Sequence, residues 1–184
     1  MCAIYGIISG DNSDWLLSQR ALALQRGKDL INYRKDKLDL YHTRLATNDS
    51  PDTYPIRLEN SLFAMNGIVS ASHYKELMKN TPIENMYGYT VDSAYFLRQF
   101  LDNEDWSQFD SDNYVFAFWL VNNNSVYIGN KDFPLYYEYR DNHVRFSSFP
   151  IEEGQSVGNK VFRYNRENGE FTKEYEFKNL VYSH

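Results

Sequence analysis

The residue best equipped for chemistry in this chain is its only cysteine, Cys2, which directly follows Met1. Cysteine has a small side chain, so removal of the initiator methionine is expected, leaving a first residue that carries a thiol and an α-amine together. An α-amine with an unperturbed pKa of about 7.7–8.0 is substantially neutral near physiological pH and can take a proton from an adjacent thiol. Nucleophile and general base would then be one residue. The competing reading is a cysteine that merely opens an edge strand.

Other short constellations offer complementary chemistry, each with a plainer alternative. Arg44, in His42-Thr43-Arg44-Leu45-Ala46-Thr47, sits where a strand ends, and its planar fork of donors suits a carboxylate; it could equally be a surface arginine in an ion pair. Asn66-Gly67 pairs a side-chain amide with an unhindered backbone N–H, a combination fit for a developing oxyanion, yet the same dipeptide is a strong hairpin signal. Asp92 opens a helical pattern, as an N-cap or as a carboxylate for a substrate ammonium. Arg26-Gly27 reads as a helix stop or as a loop packed around the chain start.

The elements that must position these groups are legible from pattern. Ile4 to Ile8 reads as a buried strand. Asp11-Asn12-Ser13 caps a helix from Asp14 to Gln25, with leucines or alanines dominating one side and Gly27 ending it. Leu30–Tyr33 and Leu38–His42 form a hairpin around Arg34-Lys35-Asp36-Lys37, and residues 48–55 form a loop. Leu62 to Val69 is short and apolar apart from Asn66-Gly67. Helices follow over Ser72–Lys79 and Asp92–Leu101. Beyond Asp112 the pattern is strands: Tyr114–Val121, Ser125–Asn130, Leu135–Tyr139, His143–Ser147, Lys160–Tyr164 and Glu170–Phe177. Strands at both ends, helices in the first half and no regular βαβ alternation give an α+β layered fold.

With 184 residues the chain is expected to be a single domain over 1–184, with a core rich in the rings of 16 tyrosines and 12 phenylalanines. A net charge of -6 with no basic block argues against nucleic acid or an anionic membrane as the main partner. The lone cysteine forms no intrachain disulfide, and the four histidines lack zinc-site spacing, so no structural metal or cofactor is expected. The apolar start has no positive n-region and no run reaches transmembrane length, which suits a cytoplasmic protein.

Taken in order, Cys2, Arg26-Gly27, His42-Thr43-Arg44-Leu45-Ala46-Thr47, Met65-Asn66-Gly67 and Asp92 resemble the class II, or N-terminal-nucleophile, glutamine amidotransferases, which include the glutaminase domains of glucosamine-6-phosphate synthase and amidophosphoribosyltransferase. The resemblance runs from Cys2 to about Gly154. It implies a four-layer αββα sandwich of two antiparallel sheets, the Ntn-hydrolase-like fold. It further implies Cys2 as nucleophile, Asn66 and Gly67 as oxyanion hole, and Arg44, Thr47 and Asp92 as glutamine-binding residues, Arg44 for the α-carboxylate and Asp92 for the α-amine. Arg26 and Gly27 would support them. Ala3, Leu45, Asn48-Asp49, Met65 and Ala94 depart from the family pattern. The implied activity is hydrolysis of the glutamine side-chain amide through a cysteine thioester, with ammonia supplied to a separate synthetase or transferase subunit. An autonomous small-amide hydrolase and a catalytically silent binding or regulatory module are the alternatives.

Overall fold

A computed structural model describes residues 2–27, 29–44 and 54–178. Within them the chain builds two six-stranded sheets, in which every paired strand is antiparallel to its neighbour. The first sheet has the order β10-β8-β9-β1-β3-β2, from β1 (Ala3–Ile8), β2 (Asp29–Lys35), β3 (Leu38–Arg44), β8 (Tyr136–Arg140), β9 (His143–Ser147) and β10 (Gln155–Ser156). The second has the order β12-β11-β7-β6-β5-β4, from β4 (Ile56–Leu58), β5 (Ser61–Val69), β6 (Tyr114–Asn122), β7 (Ser125–Lys131), β11 (Lys160–Asn165) and β12 (Phe171–Glu176).

The layering follows from side-chain alternation. In an extended strand successive residues face opposite sides, so an apolar run such as β1 must be covered on both. Ile4 and Ile8 point between the sheets, where they meet Ala64, Ala117, Trp119 and Ile128 of the second sheet. Tyr5 and Ile7 point the other way, toward Leu16 and Ala23 of α1 (Ser13–Ala23). On the far side of the second sheet, Phe63, Phe116 and Phe118 pack against Phe96 of α3 (Asp92–Asn103), with α2 (Ala71–Asn80) beside it. The result is the four-layer αββα sandwich.

Some local expectations change. The first hairpin turns on Asp36-Lys37 alone, both in the left-handed region (φ 52° and 64°), because a two-residue turn of that hand matches the strand twist. Asn12 caps α1 by accepting from Trp15 N at 3.0 Å. The helix buries Leu16, Gln19 and Ala23 and leaves Leu17, Leu22 and Leu24 exposed, because Gln19 anchors that stripe by accepting from Ser147 Oγ at 2.6 Å. Asn66-Gly67 makes no turn. Both residues lie inside the nine-residue β5, paired with Ala117 and Phe116. β4 and β10 go beyond the pattern reading, and residues 48–53 of the expected loop lie outside the described residues.

Candidate active site

The chain start is tied down atom by atom. Ala3 N donates to Thr43 Oγ1 at 3.0 Å, Ile4 N to Ser148 Oγ at 3.0 Å, and Ser148 N returns a bond to Ile4 O at 2.9 Å. The carbonyl of Cys2 itself accepts from Asn66 Nδ2 across 2.6 Å, joining the first sheet to the second. These bonds hold Cys2 at one end of the sandwich.

Register then decides which side chains meet. β1 and β3 pair Ala3 with Thr43 and Ile4 with His42, so Cys2 comes opposite Arg44. Ile4 faces the second sheet; by the two-residue repeat, Cys2, His42 and Arg44 share that inner face. Asn66, two residues after inward-facing Ala64, looks back from β5. A cavity of about 670 Å³ opens between them, lined by Cys2, His42 and Arg44 on one side and Asn66, Gly67 and Asp92 on the other.

Gly67 contributes backbone. N–H groups of alternate strand residues point to the same edge: Val69 N donates away from β6, to Asp92 Oδ2 at 3.1 Å, whereas Ser70 N donates to Asn113 O on the β6 side. The Gly67 N–H therefore points with that of Val69, toward an edge that β4 pairs only over Ser61–Phe63 and that no described strand pairs beyond. Glycine is also demanded by packing, since a Cβ here would lie 2.2 Å from Val115 O.

Asp92 is not the helix cap; Val91 occupies that position. The Asp92 carboxylate instead accepts from Val69 N and, at 2.9 Å, from Ser93 N, bridging the edge of β5 to the start of α3. Burial raises its pKa, and the two backbone donors oppose that shift. The Arg44 guanidinium lies 5.1 Å from the centroid of the Tyr54 ring, and Tyr54 Oη shares a 2.9 Å hydrogen bond with Ser93 Oγ. One tyrosine thus connects the arginine side of the cavity to the aspartate side.

Arg26 and Gly27 lie behind this wall. Gly27 packs on the backbone of Arg44, where a Cβ would come within 2.8 Å of its carbonyl oxygen, and Arg26 lies over the Phe149 ring at 4.2 Å. Thr47, with Leu45, Asn48 and Asp49, lies outside the described residues. Among the described residues no cluster of His, Cys, Asp or Glu could hold a metal ion, and no helix is long and apolar enough to cross a membrane.

The sequence reading assigned no role to His42 or Tyr54. The alternation His42-Thr43-Arg44 on a strand carries the signal for the first, because it puts His42 on Arg44's face. Nothing local marks Tyr54.

No protein-family model and no curated protein matches the sequence. Solved structures do match it. A glutamine phosphoribosylpyrophosphate amidotransferase from B. subtilis, complexed with ADP and GMP, superposes with a TM-score of 0.66 at 15% identity over 94% of this chain and 49% of its own. An allosteric regulatory enzyme of purine biosynthesis gives 0.65 at 14% identity over 97% and 50%. A glutamine aminotransferase class-II domain protein from Silicibacter pomeroyi gives 0.57 at 14% identity over 97% and 99%. The fold is that of the class II glutamine amidotransferase domains. The chain spans about half the length of the first two structures and nearly the whole of the third.

Proposed function

We propose that the chain is a glutamine amidotransferase subunit that hydrolyses the side-chain amide of glutamine through a Cys2 thioester and passes ammonia to a separate synthetase or transferase subunit. The observation that carries this reading is the single cavity shared by Cys2, Arg44, Asn66, Gly67 and Asp92. Once Met1 is removed, the α-amine of Cys2 takes the thiol proton and the thiolate attacks the amide carbon. The oxyanion that forms is held by the Gly67 N–H and by the Asn66 side-chain amide, whose second N–H is not spent on Cys2 O. Arg44 takes the substrate α-carboxylate and ionised Asp92 its α-ammonium. The proton moves from the α-amine to the amide nitrogen, ammonia departs, and water releases glutamate from the thioester.

An intact mass of the mature protein before and after diazo-oxo-norleucine, alongside a glutamate-release assay, tests the reading. One adduct on Cys2 together with glutamate formation supports it. An unlabelled Cys2 and no glutamate would leave a binding or regulatory module on the same scaffold.

A further inference from the structure

His42 is 1% exposed, and neither ring nitrogen has a hydrogen-bond partner among the described residues. The imidazole makes a tilted contact with the Tyr54 ring at 5.1 Å, yet its nitrogens hold no strand, turn or cap together. A buried polar group left unpaired opposes folding, so its retention on a cavity wall points to a partner that arrives with a ligand. The β1–β3 register makes His42 and Cys2 diagonal neighbours on one face, with Cα atoms about 7–8 Å apart in such pairs, and both line the same cavity.

The cavity's geometry selects which part of that molecule His42 meets. In a tetrahedral adduct on Cys2, sulfur occupies one corner and the oxyanion points to Asn66 and Gly67 in the second sheet. The amino-acid end extends toward Arg44 and Asp92. The fourth corner, the amide nitrogen, is left for the first-sheet wall where His42 stands. We propose, resting on the glutaminase reading above, that His42 forms an ammonia subsite, in which a ring nitrogen accepts a hydrogen bond from the amide nitrogen as it leaves.

The proton that Cys2 lost passes from the α-amine to the amide nitrogen, the C–N bond breaks with its electron pair going to nitrogen, and His42 gains and loses no proton. Burial, and then the nearby Arg44 charge, hold the His42 pKa down to about 4, so the ring is neutral at physiological pH. Neutrality suits the task. An imidazolium is a stronger acid than ammonium and would protonate the released ammonia, removing the lone pair an acceptor needs. The neutral ring binds ammonia and leaves it a nucleophile.

The test compares wild type, His42→Leu and His42→Asn on glutamine and on glutamic acid γ-methyl ester, whose leaving oxygen carries no hydrogen to donate. Loss of one hydrogen bond at the leaving group should lower kcat on glutamine about tenfold in His42→Leu while changing kcat on the ester less than about twofold. His42→Asn, which keeps an acceptor, should fall between, and diazo-oxo-norleucine should label Cys2 in both variants at the wild-type rate. Equal losses on both substrates, or none on glutamine, would overturn the ammonia subsite while the glutaminase reading stands. A wild-type protein that releases no glutamate and takes no label removes both. If His42→Leu does not fold, the amide-to-ester ratio of His42→Asn decides by the same rule.

Discussion

Asn66 donates its side-chain amide to the carbonyl oxygen of Cys2 across 2.6 Å, so the residue assigned to the oxyanion also fixes the backbone of the residue assigned to attack. Asn66→Ala should therefore act twice. Loss of the bond should cost about 0.5–1.5 kcal/mol of stability. Loss of the oxyanion donor should lower kcat for glutamine about 10²–10³-fold. Urea melts beside steady-state kinetics separate the two; a stability loss with kcat unchanged would make the contact purely structural.

Gly67→Ala is expected to fail for a different reason. The new Cβ would lie 2.2 Å from Val115 O and 2.7 Å from Phe116 Cα, and these are backbone atoms of a central strand that cannot rotate away. The penalty should exceed the roughly 1–3 kcal/mol of ordinary overpacking. A melting temperature within a few degrees of wild type would show that β5 and β6 can separate, contrary to this geometry.

Arg44→Ala and Asp92→Asn should each raise KM for glutamine more than about tenfold, with a smaller effect on kcat if both groups bind ground and transition states alike. Asp92→Asn also weakens the bridge from Val69 to Ser93, so its melting temperature must be measured alongside. Wild-type KM in both variants would dismiss the amino-acid grip.

His42 also predicts how stability responds to acid. Its folded pKa of about 4 lies below the ordinary value of 6.5, so between these values the unfolded chain holds a proton that the folded chain refuses. Unfolding then takes up protons, and stability contributed above pH 6.5 is lost as pH falls toward 4, by up to about 3 kcal/mol. Cys2, Arg44, Tyr54 and Asp92 line the same cavity, so the comparison must be with His42→Asn, in which this part of the slope disappears while theirs remains. Identical pH dependence of urea midpoints in the two proteins would contradict the burial of a neutral ring.

Much of this arrangement is legible in the sequence, for physical reasons. β1 is a continuous apolar run, while the first hairpin, α3 and the strands after Asp112 have periodic stretches set off by turn residues, and local patterning detects both. β4 and β10, with three and two residues, are too short to show a period. Asn66-Gly67 is ambiguous because a hairpin and a strand interior use the same two residues for different ends; only pairing with Ala117 and Phe116 decides. The sequence also leaves Asp92 with two roles, and the carboxylate's bonds to β5 and α3 are long-range facts no cap rule contains. His42 is harder still. A histidine in a strand resembles any core residue until its ring nitrogens are found without partners.

Among the described residues β4 pairs with β5 only from the Ile56–Phe63 pair to the Leu58–Ser61 pair, and that short span reaches beyond local topology. A neighbour paired as far as Gly67 would lock its N–H into a ladder and leave it nothing to offer a visitor. In the glutaminase proposed above, the oxyanion donor therefore depends on how far a neighbour is knitted on, a property that no inventory of side chains contains. A chain of this architecture could be switched between inert scaffold and working site by lengthening one strand, with Cys2, Arg44, Asn66 and Asp92 all left in place.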